Sequence, residues 1–315
     1  MEHTIDPLIY RIFLLLRGPL FCWMLLVSFC ELRAEGVQLQ VASSHRLIIR
    51  VPEGSSNWFR LERTRDLSDW VLMRDTLAWP TELGVNSSVV ESEFYRIVSV
   101  AIPEPPFTIG VIGDSTAVEI QRFPLVGGWA QGLSTFARDE TRFVMAGEPG
   151  LSTKSFFGSF RERMLTTTTP TIVMIQLGQI DEFNTQPEIK STSLTEYQDN
   201  LGAMVDFVRG WGGIPMLVTP LPSRDFDSDG NLAPYLVERS AAMRELGGEV
   251  GVHVVDLHRL VSDLYVSASQ EELNEWGYAD NYHLSVPGSV AVAELVLKAL
   301  PPHIGQLMFQ IPAAP

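Results

Sequence analysis

Thiols are almost missing from this chain. Its 315 residues include two cysteines, Cys22 and Cys30, and both lie in the first apolar segment. Beyond residue 34 there is no material for a disulfide, a thiolate nucleophile or a cysteine-based metal site. Positive charge is also scarce. Against 38 Asp and Glu stand 23 Lys and Arg, a formal net charge of −15. That balance argues against nucleic acid and anionic membrane surfaces as partners. No internal repeat or low-complexity run occurs, and no glycine-rich phosphate loop stands out. Asp225, Asp227 and Asp229 with Gly230 lack the closing glutamate of a calcium loop and read as a solvated turn. Neither a metal nor a cofactor is expected.

The chain opens with Arg11 and Arg17 ahead of an apolar stretch from Leu20 to Cys30. The stretch is shorter than the about 20 residues that span a bilayer, and Arg17, Gly18 and Pro19 separate it from the upstream run Ile12 to Leu16. Residues 1–34 therefore read as a secretory signal, with Ala34 as the cleavage position and an uncleaved anchor as the competing reading. The expected location is secreted or periplasmic, with no stable membrane association once the signal is removed.

Two patterns divide the remainder. Residues 35–100 alternate apolar and polar positions in short runs, such as Val37 to Val41, Arg46 to Val51 and Phe94 to Val98, with turn residues between them. This predicts a small all-β sandwich domain. Trp58, Trp70 and Trp79 fit core positions better than an exposed sugar-stacking platform, and Asn86-Ser87-Ser88 is a glycosylation sequon or a plain turn. A proline-rich linker follows at 101–106. From 107 to 303, apolar strands at 107–112, 142–146, 171–178, 214–219 and 252–257 alternate with helical patterns at 128–138, 155–165, 194–210, 236–249 and 285–300. That alternation predicts an α/β fold, a three-layer α/β/α domain on a parallel five-stranded sheet. Residues 304–315 show no periodicity and read as a C-terminal tail.

The chemistry concentrates at two places. Ser115 lies in Gly113-Asp114-Ser115-Thr116, directly after the first strand of the sheet, where such sheets place ligands. Asp280-Asn281-Tyr282-His283 precedes the last helix. A serine hydroxyl needs a base within hydrogen-bond reach, and His283 is the candidate. Asp280, three residues earlier, shares a face with it and can hold its tautomer. His253 and His258 have no carboxylate at an equally good spacing; they read as a strand-edge and a helix-start residue. Asp280 as a mere cap of the final helix is the alternative.

With these residues in view, the chain resembles the SGNH or GDSL hydrolases, and within them the rhamnogalacturonan acetylesterase-like branch. The likeness covers about 107–300. It rests on Gly113-Asp114-Ser115-Thr116-Ala117, Gly128-Trp129-Ala130-Gln131, Gly150 to Phe156, Val218-Thr219-Pro220 with Phe226 to Gly230, and Asp280-Asn281-Tyr282-His283. The stretch Trp58 to Trp70, with Phe94-Tyr95-Arg96, resembles the fibronectin-like accessory domains of secreted bacterial enzymes. The resemblance implies a flavodoxin-like fold and an oxyanion hole built from the N–H groups of Ser115 and Gly150. It also implies a third donor, an asparagine in Gly-His-Asn-Asp. This chain has Gly178-Gln179-Ile180-Asp181, so Ile180 occupies the donor position and Gln179 is the possible substitute. Isoleucine donates nothing, and one lost oxyanion donor typically costs ~10²–10³ in kcat. The reading that follows is a secreted serine esterase acting on an acetylated polysaccharide or oligosaccharide. The alternatives are a catalytically weakened homologue that binds sugar chains, and a lipase or thioesterase on the same fold.

Overall fold

The computed structural model describes residues 9–10, 38–43, 46–51, 57–64, 71–77, 81–86, 94–118, 125–182 and 187–310. The chain divides into two compact units, Met1–Pro103 and Glu104–Pro315.

In the first unit the pairing is antiparallel. Strands β2 (Gln38–Ser43), β3 (Arg46–Val51) and β6 (Thr81–Asn86) form one sheet in the order β2-β3-β6. Strands β1 (Ile9–Tyr10), β4 (Asn57–Thr64), β5 (Val71–Leu77) and β7 (Phe94–Ala101) form the other, in the order β1-β7-β4-β5. Trp58, Phe59 and Leu61 of β4 are buried. Trp70, Trp79 and Ser87-Ser88 of the sequon lie outside the described residues, as does the proposed signal except for Ile9–Tyr10.

The second unit is built on strands β8 (Phe107–Gly113), β10 (Thr141–Met145), β11 (Ile172–Gln176), β12 (Ile214–Val218) and β13 (His253–Val255). All are parallel, in the order β10-β8-β11-β12-β13. Every residue of β11 and β12 is buried, which explains the apolar runs 172–175 and Ile214–Val218: a central parallel strand is covered on both faces. One face, through Ile112, Val173, Ile175 and Leu217, packs on α2 (Thr153–Phe156), α3 (Phe160–Thr168), α6 (Leu194–Arg209) and α7 (Val237–Glu249). Leu201 is fully buried in this layer; its truncation to alanine would cost about 2–5 kcal/mol through the cavity left behind. The remaining helical layer includes α1 (Trp129–Ser134), α8 (Leu257–Ser267) and α10 (Val286–Ala299), with α1 and α8 both against α10. The predicted three-layer α/β/α architecture is therefore present.

Several boundaries differ from the sequence reading. The predicted helix 155–165 is two helices. The chain breaks at Gly158, whose φ of +79° suits glycine, and Ser159 caps α3 by accepting from Arg161 and Glu162 N–H. Short helices α4 (Gln179–Glu182) and α5 (Pro187–Lys190) follow β11. Helix α9 (Gln270–Trp276) starts at a Ser269–Glu272 capping box. The boundary placed after 303 falls inside α11 (Pro302–Met308), which starts on Pro302. The Met308 carbonyl accepts from Arg138 N and the Thr141 hydroxyl, and Phe309 is buried.

Candidate active site

Ser115 stands two residues past the end of β8, beside β11, where the strand order reverses. This is the switch point at which doubly wound sheets open a crevice. The turn is tight. Asp114 Oδ1 accepts from the N–H and the hydroxyl of Thr116, both at 2.8 Å. The Asp114 carbonyl accepts from Ala117 and Val118 N–H. A Cβ on Gly113 would sit 2.4 Å from that of Ala117, so only glycine fits there. Gly128 likewise lets α1 approach: its Cβ would lie 2.3 Å from the Ala117 carbonyl oxygen.

His283 arrives from the opposite end of the chain. The ribbon β14 (Leu284–Ser285) pairs with β9 (Val126–Gly127), fixing the residues just after it. Its Nε2 lies 2.9 Å from Ser115 Oγ, and its Nδ1 lies 2.7 Å from Asp280 Oδ2. The other oxygen of Asp280 accepts from Tyr282 and His283 N–H at 2.8 and 2.7 Å. Partial burial pushes the Asp280 carboxyl up, but these N–H groups and the imidazole outweigh it and hold the acid below its ordinary range. The cap of α10 is Ser285, whose hydroxyl accepts from Gly288 N–H at 3.0 Å. Asp280 is thus tied to His283 rather than to the helix. His253 lies in edge strand β13 with its ring on the Ala299 carbonyl, and His258, in the first turn of α8, places its Nε2 on the Tyr235 carbonyl.

Sequence reasoning missed Arg224. Its guanidinium donates to the carbonyls of His283 (2.9 Å), Tyr278 (3.4 Å) and Asp280, and its N–H donates to the Asn281 carbonyl at 2.8 Å. Gly277 makes room for it, since a Cβ there would lie 2.6 Å from the guanidinium. One arginine thereby ties the loop after β12 to the segment bearing Asp280 and His283. The only signal in the sequence is an arginine shortly after Thr219-Pro220, which no spacing rule connects to a segment more than fifty residues away.

Gly150 lies in the loop after β10 with φ of +79°. Lys190 Nζ holds its carbonyl at 2.7 Å. Among the described residues, neither the Ser115 nor the Gly150 N–H donates to another group. Just downstream, Thr153 N–H and its hydroxyl both reach the Asp181 carboxylate. Burial pushes the Asp181 carboxyl up, opposed by Thr153, Thr192 and Arg239. Arg239, itself buried, holds the Asp181 and Thr192 carbonyls and Glu182. Asp181 therefore anchors the Gly150 loop to α4.

Residues 178–180 do not stay extended; Gln179 begins α4. Its amide is buried in a cluster with Asp114, Thr116, Gln176 and Trp129, whose indole donates to Gln176. Turned with its nitrogen toward Asp114 Oδ2 (2.9 Å), Gln179 accepts from Leu221 N at 3.2 Å. Turned the other way, it accepts from Gln176 at 3.1 Å and faces Asp114 with an oxygen, which suits a protonated Asp114. Burial pushes that carboxyl up to about 6, against the pull of Thr116 and the more distant His283 charge. In both orientations the amide is committed to this network, so the role of substitute oxyanion donor does not match its position. Ile180 follows it, half-buried.

Such a site can do acyl transfer. A hydroxyl faces an imidazole that a carboxylate orients, beside N–H groups with no internal acceptor. The sequence comparisons agree with this class. Residues 111–291 match the GDSL-like Lipase/Acylhydrolase family, more than half of the chain, and the chain belongs to that family. It is a carboxylic ester hydrolase by that membership. Rhamnogalacturonan acetylesterase RhgT of Bacillus subtilis (strain 168) is 28% identical over 212 residues, 62% of this chain and 90% of the relative. Among solved structures, protein YXIM of Bacillus subtilis is similar, with a TM-score of 0.55, 19% identity, and coverage of 82% of this chain and 80% of that one. A catalytic mutant of Axe2, an acetylxylan esterase from Geobacillus stearothermophilus, gives a TM-score of 0.50 at 17% identity, covering 62% and 95% of the two chains. These structures share the fold.

Proposed function

We propose that the chain is an exported serine esterase that removes O-acetyl groups from a carbohydrate. The observation that carries this reading is the line Asp280–His283–Ser115 at the switch point of the sheet, with contacts of 2.7 and 2.9 Å. As Ser115 Oγ bonds to the acyl carbon, His283 Nε2 takes its proton. The carbonyl oxygen becomes an oxyanion facing the N–H groups of Ser115 and Gly150. The sugar alkoxide then leaves with the proton from His283. Water, deprotonated by His283, attacks the acyl-enzyme; acetate departs and Ser115 regains its proton. Asp280 accepts the Nδ1–H throughout and stays ionised. Carbohydrate as the acyl carrier is supported by the acetylesterase relative. Export is supported by the sequence of residues 1–34, and a fibronectin-like role for residues 35–100 by the motifs quoted above.

The test is turnover of 4-nitrophenyl acetate by purified protein. Wild type should be active, and Ser115→Ala and His283→Ala should each remove nearly all of that activity, because the residues act as a unit. Full activity in Ser115→Ala protein would end this reading. A second reading, a weakened homologue that binds acetylated sugar without efficient turnover, rests on Ile180 and on the commitment of Gln179 elsewhere.

A further inference from the structure

The acyl-transfer chemistry leaves one part of the site's rim unused. Tyr282 directly precedes His283 and is 41% exposed. Its N–H donates to Asp280, so the backbone that carries the ring is fixed. Tyr235 meets it edge-on, with ring centroids 5.4 Å apart and planes at 66°. The backbone of Tyr235 is held independently: its carbonyl contacts His258 Nε2 at 2.8 Å and its N–H donates to the Ala233 carbonyl. The aromatic corner is therefore built from two separately anchored loops.

The Tyr235 phenol is half-buried. Burial pushes its acidity well down, and the neighbouring Tyr282, Asp114 and Glu182 act in the same direction. Its ring contact with Tyr282 places it beside the segment that carries His283. It remains a neutral donor at any working pH. Among the described residues, neither phenol hydroxyl has a hydrogen-bond partner. Neither hydroxyl oxygen is sealed from solvent, so each is open to a ligand. Next to the corner the rim is polar, with Asn281 hydrogen-bonded to Asp225.

We propose that Tyr282 and Tyr235 form a pyranose subsite adjoining the nucleophile. The exposed Tyr282 ring takes the apolar C–H face of the sugar whose acyl group is presented to Ser115, and the Tyr235 hydroxyl hydrogen-bonds a ring substituent. A sugar ring, apolar on its faces and polar at its edges, matches an aromatic face beside an unpartnered hydroxyl. A long acyl chain would match an apolar rim instead. This subsite rests on the esterase reading and names the substrate class for it.

The test compares two substrates, 4-nitrophenyl acetate and xylose tetraacetate, across wild type, Tyr282→Ala, Tyr282→Phe and Tyr235→Phe. In Tyr282→Ala the ratio of kcat/KM for the acetylated sugar to that for the nitrophenyl ester should fall roughly tenfold, mainly through KM. Tyr282→Phe should keep the wild-type ratio, and Tyr235→Phe should lower it severalfold. In a Ser115→Ala background, calorimetry should show weaker binding of xylose tetraacetate when Tyr282→Ala is added. Parallel loss on both substrates, with the ratio preserved, would overturn the proposal and make the pair a support for His283. An unchanged ratio in every variant would also overturn it. A wild type inert on 4-nitrophenyl acetate would sink the esterase reading, and the calorimetric comparison would then still decide the subsite.

Discussion

The guanidinium of Arg224 donates to the carbonyl of His283 at 2.9 Å, so the base of the proposed triad is positioned by a residue from a different loop. The same side chain holds the carbonyls of Tyr278 and Asp280. Removing it should let the loop move while Ser115 stays in place. Arg224→Ala is expected to lower kcat on 4-nitrophenyl acetate by roughly 10²-fold with a smaller change in KM, since misplacement by about 1 Å can cost that much. Lysine presents a single point donor and should recover only part of the rate. Guanidinium ion added to Arg224→Ala protein should restore some activity. A variant that melts earlier but keeps its kcat would show that Arg224 supports only the fold.

Arg224 also marks where sequence reading stopped. The sheet was legible because its strands are apolar runs between turn residues, and β11 and β12 are buried on both faces as such runs require. Ser115, His283 and Asp280 were legible as candidates because a nucleophile, a base and an orienting acid have fixed chemistry, and the structure brings these three side chains together. The α2–α3 break and the α11 helix were not, because a glycine with positive φ and a docked terminal turn leave little periodicity. The inward turn of Gln179 was hidden for another reason. Its direction depends on where α4 begins and on Asp114, Thr116 and Gln176 beneath it, and no local pattern encodes that.

Asp114 should make stability depend on pH with an unusual sign. Its folded carboxyl is raised to about 6 from an ordinary 3.8. Between these values the folded state binds more protons than the unfolded state, so stability falls as pH rises through roughly 4 to 6 and is level above. The full span is ~3 kcal/mol, since a tenfold change in proton affinity corresponds to about 1.4 kcal/mol. An asparagine in place of Asp114 would accept from Thr116 through its oxygen and donate to the Gln179 oxygen. Asp114→Asn protein should therefore gain on wild type between pH 4.5 and pH 7.5 in paired thermal melts. Parallel curves across that range would mean that Asp114 does not titrate there.

The boundary between Pro103 and Glu104 separates the two compact units. The second contains its own core and every residue of the proposed site. A fragment spanning Glu104–Pro315 should fold alone, show a cooperative thermal transition and hydrolyse 4-nitrophenyl acetate. An insoluble or inactive fragment would mean that residues before Glu104 complete the core or the site.

Ile180 carries the sharpest test, because here the chain departs from the motif that its relatives' branch leads one to expect. It is the second residue of α4 and half-buried, and its side chain has no polar hydrogen to donate. If the esterase works with only the Ser115 and Gly150 N–H groups, Ile180→Asn should supply a third donor. The gain should fall on kcat rather than KM, because the amide acts when charge develops on the acyl oxygen. It should approach ~10²-fold where the asparagine reaches the oxyanion, and be smaller where the pocket has closed around isoleucine. Gln179→Ala provides the contrast. Its amide belongs to the buried cluster with Asp114, so this change should lower the melting temperature by more than a direct loss of an oxyanion donor would, and its kcat loss should not be the ~10²–10³-fold of that loss. Both variants are read on 4-nitrophenyl acetate beside wild type. A kcat that Ile180→Asn leaves unchanged, together with a wild-type rate typical of an efficient esterase, would show that the third donor comes from elsewhere in the site.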